Sequence, residues 1–137
     1  MFLLDTNVVS ELRKTKPHGG VLTWLHATAE SDLFISAVTL GEIQRGIELT
    51  RDQNPAKAQE ISQWADRLAR SQQILPMDAP TFRVWARLMH HQSDAVFEDA
   101  MIAATALVHQ LTVVTGNFSD FAAFKVPLLN PFESLPS

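Results

Sequence analysis

The sequence predicts a single α/β domain with a central parallel sheet flanked by helices. Short β-like runs alternate with helical stretches from end to end, and strands separated by helices pair in parallel with the helices laid on both sheet faces. The helical stretches repeat apolar residues at the spacing of one helix face. The 137 residues suffice for one buried core, and neither an internal repeat nor a low-complexity linker divides them.

The first strand is expected at Phe2–Leu4, three apolar residues that run straight into Asp5. A short helix follows, broken from the next by Pro17 and Gly19–Gly20. Leu33–Ser36 reads as the second strand, and Leu40, Ile43 and Ile47 then mark a helix. Asn54–Pro55 folds the middle of the chain into a helical hairpin whose second arm carries Trp64 and Leu68 on one face. Ile74–Leu75 is a third strand, and Val84 and Leu88 mark a helix after Pro80. Phe97, Met101, Ala104 and Val108 define another helix, with Ala103, Ala104 and Ala106 small enough to lie close to a sheet. Thr112–Thr115 and Val126–Leu129 complete the strands.

Composition narrows the function. With 46% hydrophobic and 19% charged residues the chain is an ordinary globular one, and the expected location is cytoplasmic. No run approaches membrane-span length, and the start lacks a signal-peptide pattern. The absence of cysteine rules out disulfides and thiolate metal sites. A net charge of −4 argues against a basic nucleic-acid coat protein. It leaves room for carboxylates around a divalent cation, with Arg13, Lys14 and Lys16 free to meet phosphates.

Ligands of an open parallel sheet bind beyond the carboxyl ends of its strands. Asp5 follows the first strand, Asp120 follows the "LTVVT" strand, Glu42 lies one turn into the helix after "LFIS", and Asp99 begins the helix leading into "LTVVT". Each alone has a structural explanation. Glu42 fits a capping box with Thr39, Asp99 complements a helix dipole beside Glu98, Asp120 can cap a turn, and Asp5 can fix a turn with Asn7. Together they suggest more. Crowded carboxylates must protonate or share a cation, and an all-oxygen set suits Mg²⁺ or Mn²⁺. Such an ion acidifies water and neutralises phosphate, which suits phosphodiester hydrolysis.

Rival chemistry fits less well. An aspartyl-phosphate mechanism at Asp5 wants a second acid two residues on, where Asn7 stands, or a lysine after a later strand, where "TVVTGNF" has none. No Gly-rich phosphate loop is present. His90 and His91 are adjacent and point to different helix faces, which suits surface residues better than a metal pair. Trp24, Trp64 and Trp85 read as core or interface residues.

The motifs "LLDTNVVSELRK", "ISAVTLGEIQRGI" and "EDAMIAATALVHQLTVVTGNFSDF", with the tail "VPLLNPF", resemble the PIN-domain ribonucleases and, within them, the FitB-like VapC toxins of toxin–antitoxin pairs. The resemblance implies a PIN domain over 1–137 and a metal-dependent endoribonuclease. Its catalytic and metal-binding residues would be Asp5, Glu42, Asp99 and Asp120, with Mg²⁺ or Mn²⁺ as cofactor. Asn117 would support that pocket or bind its water, and Thr6, Asn7 and Thr115 would line it. The implied partners are an RNA substrate, transfer RNA among the candidates, a second copy forming a homodimer, and a cognate VapB-type antitoxin that blocks the acids. Val8, Val9 and Leu12 offer that antitoxin an apolar helix face. One departure stands out: relatives read Thr-Arg-Asn where this chain reads Thr115-Gly116-Asn117, so Gly116→Arg is expected to add a phosphate contact. A catalytically weak module that only binds RNA or antitoxin is the alternative.

Overall fold

The computed structural model describes residues 1–133. Its strands are β1 (Phe2–Leu4), β2 (Leu33–Ser36), β3 (Gln73–Leu75), β4 (Thr112–Val114) and β5 (Leu128–Leu129). They form one parallel sheet in the order β3-β2-β1-β4-β5. The chain first builds outward from β1 through β2 and β3, then returns to the other side of β1 to add β4 and β5. The direction of winding therefore reverses between β1 and β4, which is where an open parallel sheet leaves a crevice at its carboxyl edge.

Among the described residues seven α-helices cover the sheet: α1 (Thr6–Glu11), α2 (Gly19–His26), α3 (Ala37–Arg51), α4 (Pro55–Ser71), α5 (Ala79–Met89), α6 (Phe97–His109) and α7 (Phe118–Phe121). Strand alternation assigns the layers. Leu4 and Val114 face Val8, Val9, Ile43 and Ile47, whereas Leu3 and Val113 face Ala100, Ala103 and Ala106 of α6. The alanines expected to let a helix lie close to the sheet do so, all fully buried. Asn54 caps α4 through the Lys57 N–H at 3.1 Å, with Pro55 in the first turn, so the expected hairpin turns where the dipeptide stands.

The strand ends differ slightly from expectation. β3 begins one residue earlier, at Gln73, and β4 stops at Val114. β5 is shortened to two residues because Pro127 has no N–H to donate and Lys125 takes a left-handed φ of 52°. A larger correction concerns α1. Val8 and Val9 are fully buried against the sheet, so they cannot form a docking face, and only Leu12, 36% exposed, reaches the surface. Two apolar neighbours beside a predicted pocket looked like an interface, but a six-residue helix leaving the central strand turns that face into the core.

Candidate active site

The Asp5 carboxylate lies in the β1/β4 crevice, only 6% exposed. One oxygen accepts the Thr6 N–H at 2.8 Å, which caps α1, and the other accepts the Thr115 hydroxyl at 2.8 Å. Thr115 stands one residue past β4, so this bond ties the ends of the two strands that flank the crevice. Asp5 thus does fix a turn, as the structural explanation requires, but that uses only half of its hydrogen-bonding capacity. Thr115 Oγ1 also accepts the Asn117 N–H at 3.0 Å, and the Asn117 side-chain amide donates to Asp120. Ser119 donates to the Asn117 carbonyl oxygen at 3.3 Å.

Glu42 approaches from α3. The expected capping box with Thr39 does not form, because the helix starts earlier, with Ser36 as cap accepting the Val38 N–H at 3.1 Å. Glu42 Oε1 instead accepts the Thr6 hydroxyl at 3.0 Å, and Thr6 Oγ1 lies 3.0 Å from the hydroxyl of buried Thr39. Thr39, expected only as a helix cap, thus supports the site through Thr6. Its place one turn before Glu42 on the same helix face was the available signal. Asp99 sits half-buried in the first turn of α6, where no side chain caps the helix. Asp120 lies inside α7 rather than capping it. Asn7 is exposed and, among the described residues, its side chain joins none of these hydrogen bonds.

The electrostatics show how the acids sense one another. Burial pushes the Asp5 carboxyl up, against the Thr115 and Thr6 hydrogen bonds, and the charge of Asp120 raises it further. Burial pushes Glu42 up to about 7, opposed by the Thr6 hydroxyl and reinforced by Glu98, Asp5 and Asp99. Asp99 is pushed up to about 6 by burial and then by Asp5, Asp120 and Glu98. Glu98 is itself paired with Arg45 at 3.7 Å, on the exposed side of the cluster. Among the described residues, Asp5, Glu42 and Asp99 have no ion-pair partner.

Among the described residues no three acidic or imidazole groups converge closely enough to form a complete protein cage for an ion. Mg²⁺ does not require one, since it retains several waters and takes one or two carboxylates. The all-oxygen donor set in a half-solvated crevice suits that mode. His90 and His91 stand apart at the end of α5, both exposed, with ring centres 3.9 Å apart.

Gly116 has a different role from the one its position suggested. A Cβ there would lie 2.7 and 2.9 Å from two ring carbons of Phe132, whose ring packs edge-on against His18 at 5.0 Å. Any side chain at 116 must move that ring, so an arginine would displace Phe132 before reaching a phosphate. Gly116→Ala is expected to lower stability by about 1 kcal/mol through this overlap. Thermal melting of Gly116→Ala beside the double variant Gly116→Ala/Phe132→Ala checks it, since the alanine should cost little once the ring is gone.

A family model described as the PIN domain matches residues 2–125. The chain is 33% identical over 142 residues to Toxin FitB of Neisseria gonorrhoeae, covering 96% of this chain and 99% of that one. It is 35% identical over 144 residues to VapC ribonuclease Y4jK of Sinorhizobium fredii, covering 97% and 99% respectively. Among solved structures, the FitAB complex bound to a DNA fragment superposes with a TM-score of 0.80 at 32% identity, over 98% of both chains. The sheet order, the crevice between β1 and β4, and matches that run almost the full length of chain and relative lead to one assignment: this chain belongs to the PIN domain family.

Proposed function

We propose that this protein is the metal-dependent endoribonuclease toxin of a toxin–antitoxin pair, and that it hydrolyses RNA phosphodiester bonds at the carboxyl edge of β1 and β4. The observation that carries the reading is that Asp5, Glu42 and Asp99 lie along one crevice, each pushed above its ordinary pKa first by burial and then by neighbouring acids, and none ion-paired among the described residues. Carboxylates buried without a cation, with further acids beside them, mark functional sites. The names of the relatives, a ribonuclease and a toxin, support the same activity.

In this reading Asp5, Glu42, Asp99 and Asp120 are the acids available to Mg²⁺ or Mn²⁺, one or two of them binding it directly and the others through its coordinated waters. The bound ion supplies charge neutralisation at the phosphate and a more acidic water. The chain's own residues set the geometry. Thr115 and the Thr6 N–H hold both oxygens of Asp5, and Thr6 orients Glu42 while resting on Thr39. Asn117 holds Asp120 toward the same loop. The likeness to the toxin of the FitAB complex supports a cognate antitoxin of the VapB type as partner, and the same reading includes a homodimer as a proposal. No helix among the described residues is long and apolar enough to cross a membrane.

Purified protein is expected to cut RNA with Mg²⁺ or Mn²⁺, to stop on chelation, and to resume when the ion is restored. Cleavage at the same sites and rate under complete chelation removes the metal mechanism. RNA or antitoxin binding with no cleavage under any divalent ion favours a pure binding module instead. Mapping RNA 5′ ends after induction without antitoxin identifies the substrate and tests transfer RNA directly.

A further inference from the structure

We propose that single-stranded RNA leaves the acidic edge along a basic groove between α1, α3 and α4, with phosphates on Arg13, Lys57 and Arg67 and a base against Trp64. The proposal rests on the nuclease reading and adds to it the path of the substrate.

The groove begins at the site itself. A cleft walled by Thr6 and Glu42 runs past Ser10 and Arg13 to Ile61 and Trp64. A second cleft shares Arg13, Ile61 and Trp64 with the first and continues to Lys57 and Arg67. The two are therefore one path from Glu42 to an end where Arg13, Lys57 and Arg67 outnumber Glu60. A phosphodiester held at Glu42 belongs to a longer strand whose flanking nucleotides need such a path.

The charge pattern selects an anionic guest. The chain carries a net −4 and only 11 lysines and arginines, yet three of them line this path. Among the described residues Arg13 and Arg67 make no ion pair, and exposed Lys57 meets only Glu60, at 3.6 Å. Lys14, by contrast, is engaged by Glu11. On α4, Lys57, Glu60, Trp64 and Arg67 follow the three- and four-residue steps of one helix face, so the cations and the indole are displayed together. Trp64 packs on the core yet also lines both clefts. A basic track beside a partly exposed aromatic is how sequence-tolerant single-strand sites are built, because every base has a face to stack and every phosphate a charge to meet. A solvated helix face accounts for the cations alone, but not for their continuity with Glu42.

The test is binding of a fluorescent single-stranded oligouridylate in EDTA, followed by anisotropy across a salt series. Losing two phosphate contacts in the double variant Arg13→Ala/Arg67→Ala should reduce the slope of log affinity against log salt by about 1.4. Trp64→Leu, which keeps an apolar side chain on the core, should weaken binding about tenfold with little change in salt slope. Circular dichroism and melting temperature identify any variant that has lost its fold, and Lys57→Ala, at an exposed position, supplies an independent arm with a slope reduced by about 0.7. Parental affinity and slope in the folded variants overturn the proposal, as does a parent that fails to bind the oligonucleotide. Loss of binding to a protein inhibitor with RNA binding unchanged also overturns it and gives the groove to that partner. A parent that cuts no RNA with any divalent ion refutes the nuclease reading instead, and is scored separately by the cleavage assay.

Discussion

Asp5→Asn is expected to reduce RNA cleavage by ~10²–10³-fold or more while leaving the metal-free protein as stable as the parent, or more so. The two halves come from one piece of geometry. The amide can still accept the Thr6 N–H through its oxygen, and its NH₂ can donate to Thr115 Oγ1, so both hydrogen-bond positions stay filled. What disappears is a charge whose burial, and then the charge of Asp120, raises the pKa of the parent carboxyl, and which itself raises that of Asp99. Removing a charge that the fold disfavours is not destabilising, but under the proposed mechanism it would take away a ligand of the cation. Cleavage rates and melting temperatures of parent and variant, measured without metal and with saturating Mg²⁺, check both halves. A destabilised variant that cuts at the parental rate would reduce Asp5 to a helix cap.

The second large effect is a reversal of pH dependence by the cation. Glu42 is raised from 4.5 to about 7 and Asp99 from 3.8 to about 6. A carboxyl whose folded pKa lies above its unfolded value keeps extra protons on the folded side. Stability is therefore lost as pH rises from the ordinary values through the raised ones. The metal-free protein should be most stable near pH 4 to 5 as far as these groups decide it, and weaken up to about pH 7. Both groups are partly exposed, so the combined loss is on the order of 2 kcal/mol, a fall of roughly 8 °C in melting temperature. Under the proposed mechanism Mg²⁺ would bind the deprotonated cluster, and its stabilisation should grow over the same interval, reaching about 2.7 kcal/mol at a hundredfold excess over Kd. Melting curves at several pH values, with Mg²⁺ and with EDTA, should diverge above pH 6. Parallel curves would mean that the acids do not share an ion.

Much of this was legible in the sequence because the relevant signals are local. Phe2–Leu4 is a buried apolar run, and Asp5 stands out by ending it. The helices of Ile43–Ile47 and Ala100–Ala106 announce themselves by periodicity, and their strands fall between them. What stayed hidden depends on contacts that no local pattern encodes. Thr6 meets Thr39 and Glu42 across 33 and 36 residues, so the support under the acids appears only when β1 and β2 are laid side by side. Likewise, the inward turn of Val8 and Val9 follows from the angle at which α1 leaves the sheet, and the occupation of the space over Gly116 follows from Phe132 arriving from the far side of β5. Trp64 could be placed on a helix face from its spacing, but that face borders a groove as well as the core.

The bond between Asp5 and Thr115 spans 110 residues of chain. A polypeptide emerging from the ribosome therefore exposes Asp5 first and must wait for β4 before the crevice has its second wall. Asp99 and Asp120 arrive equally late, so a nascent chain halted after α5 can carry β1, β2 and β3 yet present only half of the acid cluster. Fragments from interrupted translation therefore lack the assembled site, and the complete cluster forms only as the last third of the chain is delivered.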